Sequence, residues 1–153
     1  MKDIKIYTKG LITAEHIGGW ASILSFQENS KELSGYIPNT NARRMELMAI
    51  ISGIGALKEP CNIDIMLSSD YVFQAINSGK VKQWMENNWK DEKKQKIENE
   101  DLWRMLIIQH RVKKHNVKYL RERAPKASYY KRCDELANMA IQEFIAKNRN
   151  QES

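Results

Sequence analysis

The sequence predicts an α/β fold in which helices flank a five-stranded mixed sheet. Three observations point to it. Alternation of apolar and polar residues recurs in five short segments. Apolar residues at helical spacing follow the third of these and return near the C-terminus. The resulting order is strand-strand-strand-helix-strand-helices-strand-helix. A chain of 153 residues can bury a core without disulfides or metals. One domain over residues 1–153 is therefore expected, its last few residues a disordered tail.

Ile4, Ile6 and Thr8 alternate with Lys5 and Tyr7, the pattern of a first strand. Gly18-Gly19 opens a second strand, Trp20 to Gln27. Glu28-Asn29-Ser30 turns the chain into a third, over 31–37. Pro38-Asn39-Thr40-Asn41 stops that strand and offers side chains that can cap a helix. From 42 to 58, Leu47, Ile50, Ile51, Ile54 and Leu57 fall on one helical face. Asn62 to Ser68 alternates again through Ile63, Ile65 and Leu67 and leads to a strand end at Asp70. Residues 71–110 read as mostly helical, divided at Ser78-Gly79 and in the polar run 90–100, with Asn99 capping the segment of Leu102, Trp103, Leu106 and Ile107. A short strand, Val117 to Arg121, precedes a last helix from Ser128 to Lys147, whose inner face carries Leu136, Met139, Ala140, Ile141 and Phe144.

Several function classes are excluded early. No apolar run approaches the ~20 residues of a membrane-spanning helix. The first residues, Met1-Lys2-Asp3-Ile4-Lys5-Ile6, alternate instead of forming the continuous apolar stretch of a secretory leader, so a cytoplasmic protein is expected. Cys61 and Cys133 stand far apart, and with three scattered histidines they give neither a disulfide framework nor zinc-ligand spacing. The net charge of +6 is local: between Arg111 and Arg132 nine basic residues face one acid, Glu122, which is +8 and leaves −2 for the rest. Local positive charge suits a phosphate backbone, whose contacts release condensed counterions, although a solvated face would look the same. Tyr119, Tyr129 and Tyr130 in this stretch could stack on bases or pack in the core.

Two blocks, Arg44-Met45-Glu46-Leu47-Met48-Ala49 and Arg132-Cys133-Asp134-Glu135-Leu136-Ala137, resemble type 1 ribonuclease H, the bacterial ribonuclease HI family. The resemblance continues in Ile6-Tyr7-Thr8, Leu67-Ser68-Ser69-Asp70, Tyr71-Val72, Trp89-Lys90 and Asn99-Glu100-Asp101-Leu102-Trp103. The blocks follow family order from the first strand to the last helix, and the element order matches a ribonuclease H-like fold. The resemblance implies cleavage of the RNA strand of RNA/DNA hybrids with two Mg²⁺ ions held by four carboxylates. It gives Glu46 as the helix carboxylate, Asp70 as the strand-end carboxylate and Asp134 as the carboxylate of the last helix. Alone, each has an ordinary alternative: a solvated helix residue, an N-cap, or an acid in a helix's first turn. It also implies nucleic-acid contacts at Asn99 and, on a basic protrusion, at Trp84 and Trp89; the basic stretch adds Arg121, Arg123 and Lys126, at the place of the loop that precedes the family's last helix. Packing within that protrusion is the competing role for both tryptophans.

One departure governs the functional reading. Where the family has aspartate after the threonine of strand one, this chain has Thr8-Lys9-Gly10. The missing acid is the ligand that bridges both metals. A charged lysine has donors and no lone pair, and Mg²⁺ wants oxygen. Lys9 is therefore expected as an internal counter-ion to Glu46, Asp70 and Asp134, unless its flexible stem swings out to solvent, leaving at most one weakly bound Mg²⁺. The loop Leu11-Ile12-Thr13-Ala14-Glu15-His16-Ile17 is bulkier than the family's glycine-rich one, and Ala42-Arg43 replaces an asparagine pair. Three functions fit: a nucleic-acid-binding pseudo-ribonuclease H with hydrolysis lost or strongly impaired; an active divalent-metal-dependent endoribonuclease with a rearranged site; or a protein-interaction subunit that reuses the fold.

Overall fold

A computed structural model describes residues 1–121 and 127–152. The strands are β1 (Lys2–Ile12), β2 (Gly18–Phe26), β3 (Asn29–Ile37), β4 (Cys61–Leu67) and β5 (Asn116–Arg121). The helices are α1 (Ala42–Gly55), α2 (Asp70–Asn77), α3 (Lys80–Glu86), α4 (Glu100–Val112) and α5 (Ala127–Glu152). The sheet order is β3-β2-β1-β4-β5, with β1–β2 and β2–β3 antiparallel and β1–β4 and β4–β5 parallel. The five-stranded mixed sheet predicted from the sequence is thus formed. No helix among the described residues is long and apolar enough to cross a membrane.

Side chains on a strand alternate between faces, and β1 makes that alternation decide the site. Ile4 and Ile6 point to one face, where Leu47, Ile50 and Ile54 of α1 and Trp103 and Leu106 of α4 complete a buried cluster with Ile63 and Ile65 of β4. Tyr7 points to the other face, where Cys133, Leu136 and Ala137 of α5 join Ala21, Ile23 and Met66. The parity continues along the strand. Lys9 therefore shares the α5 face with Tyr7, and Gly10 shares the α1 face with Ile6.

The elements differ from the sequence expectation mostly at their ends. Leu11 and Ile12 belong to β1, paired with Gly19 and Gly18, so only Thr13–Ile17 remain as loop. That loop is closed by Thr13 Oγ1, which accepts from the Ile17 N–H at 3.1 Å. Helix α1 starts where the asparagine signal places it: Asn41 Oδ1 accepts from the Arg44 N–H at 3.0 Å. It stops at Gly55, before Lys58, as the Ala56 and Leu57 N–H groups bond back to Gly53 and Ile54. Helix α5 continues past Lys147 to Glu152, since no glycine or proline interrupts it. Asn99 sits at the cap position of α4 but does not cap with its side chain. Its φ is +62°, and its Oδ1 instead accepts from Arg44 Nη1 at 3.1 Å.

The aromatic residues pack. Tyr119 and Tyr130 are buried, and Tyr129 stacks on Tyr7 with ring centroids 4.4 Å apart. Trp89 is 7% exposed within the α1–α4 cluster, under the Arg104 guanidinium. Trp84 is half-buried, edge-on to Trp103 at 5.8 Å.

Gly10 marks the closest approach of α1 to the sheet. A Cβ there would stand 2.5 Å from the Glu46 backbone nitrogen and 2.7 Å from the Met45 carbonyl carbon. Backbone cannot swing aside as a long side chain can. Gly10→Ala is expected to destabilise the chain by roughly 1–3 kcal/mol through overpacking, read as a lower midpoint in equilibrium urea unfolding.

Candidate functional site

The C-terminal ends of β1 and β4 lie side by side because the two strands are parallel neighbours. Over that edge stand α1, α2 and α5, carrying Glu46 in the second turn of α1, Asp70 at the start of α2 and Asp134 two turns into α5. Asp70 is not on the strand. β4 ends at Leu67, Ser68 and Ser69 intervene, and Asp70 is the first residue of α2. The two serines explain the step. Ser68 Oγ donates to the Thr8 carbonyl at 3.0 Å and so ties the ends of β1 and β4 together. Ser69 holds the cap position of α2, yet its hydroxyl makes no cap and donates to Glu46 Oε2 instead.

Each carboxylate is engaged by a donor from the chain itself. Lys9 Nζ lies 3.5 Å from Asp134 Oδ1. Arg121 Nε lies 2.7 Å from Asp70 Oδ1. Ser69 serves Glu46. Lys9 is thus a counter-ion, as its place in the sequence suggests, but its direct contact is with Asp134 only. Asp70 belongs to Arg121, a residue the sequence reading assigns to nucleic acid. Arg123 and Lys126 lie outside the described residues.

Glu46 is the member nearest the core. Burial pushes its carboxyl above the ordinary value of 4.5, while the Ser69 hydrogen bond and the positive charges of Lys9, Arg43 and Arg121 pull it back. Beneath the site, Cys133 is buried against the Tyr7 carbonyl, and its thiol is pushed up to about 12, by burial first and then by Asp134 and Glu32. A thiol so raised is neither a nucleophile nor a metal ligand near neutral pH.

The surroundings are tied together by pairs of opposite charge. Arg44 forms a two-point pair with Asp101 at 3.0 and 2.8 Å, which locks the start of α1 to the start of α4 and holds the Asp101 carboxyl down at about 2. Arg43 lies over the Tyr71 ring at 4.6 Å. A groove runs from Asp70 and Arg43 past Trp84 to Lys80, Lys90, Lys93 and Lys96, with Asp91, Glu92 and Glu98 between them, so its lining carries both signs. Trp84 reaches this groove. Trp89 is beneath it, and Asn99 is buried between α1 and α4.

The donor set does not fit a pair of Mg²⁺ ions. Among the described residues, no three His, Cys, Asp or Glu side chains converge as a metal-holding group. Two of the three carboxylates already face a cation of the chain, and Lys9, between Thr8 and Gly10, offers a metal no oxygen donor.

Sheet order and acidic side chains at these element ends define a ribonuclease H-like α/β protein. The RNase H family profile matches residues 1–142. A Ribonuclease H of Chlorobaculum parvum is 42% identical over 146 residues, covering 93% of this chain and 97% of that protein. A Ribonuclease H of Caldicellulosiruptor saccharolyticus is 39% identical over 146 residues, covering 94% and 99%. Among solved structures, a type 1 RNase H with the type 2 active-site motif superimposes with a TM-score of 0.77 at 18% identity, covering 94% of this chain and 74% of that one. The chain belongs to the RNase H family.

Sequence reasoning misses Arg121–Asp70 and Ser69–Glu46. The signal for the first is the register Leu67 opposite Arg121, which requires knowing that β5 pairs with β4.

The raised Glu46 carboxyl sets a pH dependence. The folded state holds this proton more tightly than the unfolded chain. Its protonation therefore adds stability that is fully present below about pH 4.5 and lost as pH rises through the folded value. Glu46→Gln is expected to raise the melting temperature near neutral pH. The gain should vanish below pH 4.5 when melting is followed across pH.

Proposed function

We propose that this chain is an RNase H-fold nucleic-acid-binding protein whose hydrolytic activity is absent or strongly impaired, with RNA/DNA hybrid as its preferred ligand. The observation that carries the reading is Lys9 paired to Asp134 where the family's bridging acid belongs. Catalysis by paired metals depends on an oxygen donor shared between them, and an ammonium cannot replace it. At most one Mg²⁺ is held, weakly, by Glu46, Asp70 and Asp134.

Binding is supported separately. The basic stretch around β5 and the lysine-lined groove beside Arg43 and Trp84 offer several phosphate contacts. A structural neighbour with a TM-score of 0.64 was solved in complex with an RNA/DNA hybrid. Asn99, Arg121, Arg123 and Lys126 remain candidate contacts. Trp84 is the better placed of the two tryptophans because it reaches the groove. A cytoplasmic setting goes with this reading, with both cysteines free and buried.

A second reading, an active endoribonuclease, is favoured by one specific finding: relatives about 40% identical over nearly their whole length carry the name Ribonuclease H. Cleavage of an end-labelled RNA/DNA hybrid separates the two. With Mg²⁺ or Mn²⁺, no product beyond a no-protein control is expected. Robust cleavage abolished by Asp70→Ala or Asp134→Ala would overturn the proposal. Hybrid binding is expected to fall steeply with salt, with a log–log slope of about −0.9 per phosphate contact. No binding at low salt would favour a protein-interaction subunit.

A further inference from the structure

The sequence blames the loss of metal chemistry on Lys9 alone, but the ends of β4 and β5 add a second cause. The two strands are parallel with Leu67 opposite Arg121, so Arg121 emerges beside the Ser68–Ser69–Asp70 step. Its guanidinium meets Asp70 at 2.7 Å, on a carboxylate that is 70% exposed. A pair this open is screened by water and contributes little to folding. What it does control is which cation reaches Asp70.

Glu46, Asp70 and Asp134 together carry three negative charges. The three cations of this edge, Lys9, Arg43 and Arg121, all act on Glu46. Arg43 is shared with Glu98 at 3.4 Å, so Lys9 and Arg121 are the cations in direct contact with these carboxylates, one on Asp134 and one on Asp70. Replacing Lys9 by an acid restores one ligand but leaves Arg121 against another.

We propose that Arg121 is a second resident counter-ion, a positioning residue that occupies Asp70 as Lys9 occupies Asp134, so that two protein cations close this site to divalent metal. The proposal rests on the reading of Lys9 above and deepens it: Lys9→Asp alone does not rebuild a metal site. A divalent ion about 5 Å from a fixed unit charge loses on the order of tenfold in affinity even where the surroundings screen as well as water.

Calorimetric titration with Mg²⁺ of the unaltered protein, Lys9→Asp, Arg121→Gln and the double variant tests this, with thermal melting in the absence of metal as the folding control. Arg121 is on the surface and glutamine keeps most of its stem, so Arg121→Gln is expected to melt as the unaltered chain does. The double variant is expected to bind Mg²⁺ at least tenfold more tightly than Lys9→Asp, and to gain melting temperature on Mg²⁺ addition where Lys9→Asp does not. Equal binding by Lys9→Asp and the double variant would overturn the role of Arg121 while leaving that of Lys9 intact. No gain in the double variant would also overturn it. Binding by the unaltered protein as tight as by the double variant would overturn the reading of Lys9 itself.

Discussion

Glu46, Asp70 and Asp134 stand at one edge of the sheet, and the site depends on each of these acids finding a donor on the chain itself. Lys9 answers Asp134, Arg121 answers Asp70, and Ser69 answers Glu46. Here the chain supplies positive charge from its own strands, and the geometry follows. Lys9 reaches Asp134 because strand parity turns it toward α5. Arg121 reaches Asp70 because β5 lies parallel beside β4.

The approach of α1 to β1 sets the remaining coordinates. Without a side chain at Gly10, the helix backbone settles against the strand, and Glu46 comes to rest above the serines at the end of β4. Arg44 then anchors the same helix to α4 through Asp101 and Asn99. The acidic edge and the groove beside it, which share Asp70 and Arg43, are therefore parts of one packed unit, not separate patches.

Much of this was legible in the sequence. Alternation at Ile4, Ile6 and Thr8 and helical spacing from Leu47 to Ile54 report burial directly, so strand and helix identities follow from them. Asn41 announces the start of α1 because a cap is a local event within a few residues. The ends of β1 and α5 were less legible, since pairing with Gly18 and Gly19 extends the one and the lack of a stop signal extends the other. Site geometry divides in the same way. The motif blocks pick out Glu46, Asp70 and Asp134, and the lysine after Thr8 shows the change of charge. The partner of Asp70 was hidden, because it depends on which strands pair and in what register. Trp89 and Asn99 look like surface contacts in a motif, but their burial is a tertiary property.

The serine bridge from Ser68 to the Thr8 carbonyl carries a last consequence. It fastens the edges of two neighbouring strands just where their ladder runs out, and beyond it the chain turns into α2. Because both partners are neutral, added salt does not screen this tie as it screens the exposed ion pairs around it, so the two strand ends stay joined where the charged contacts weaken.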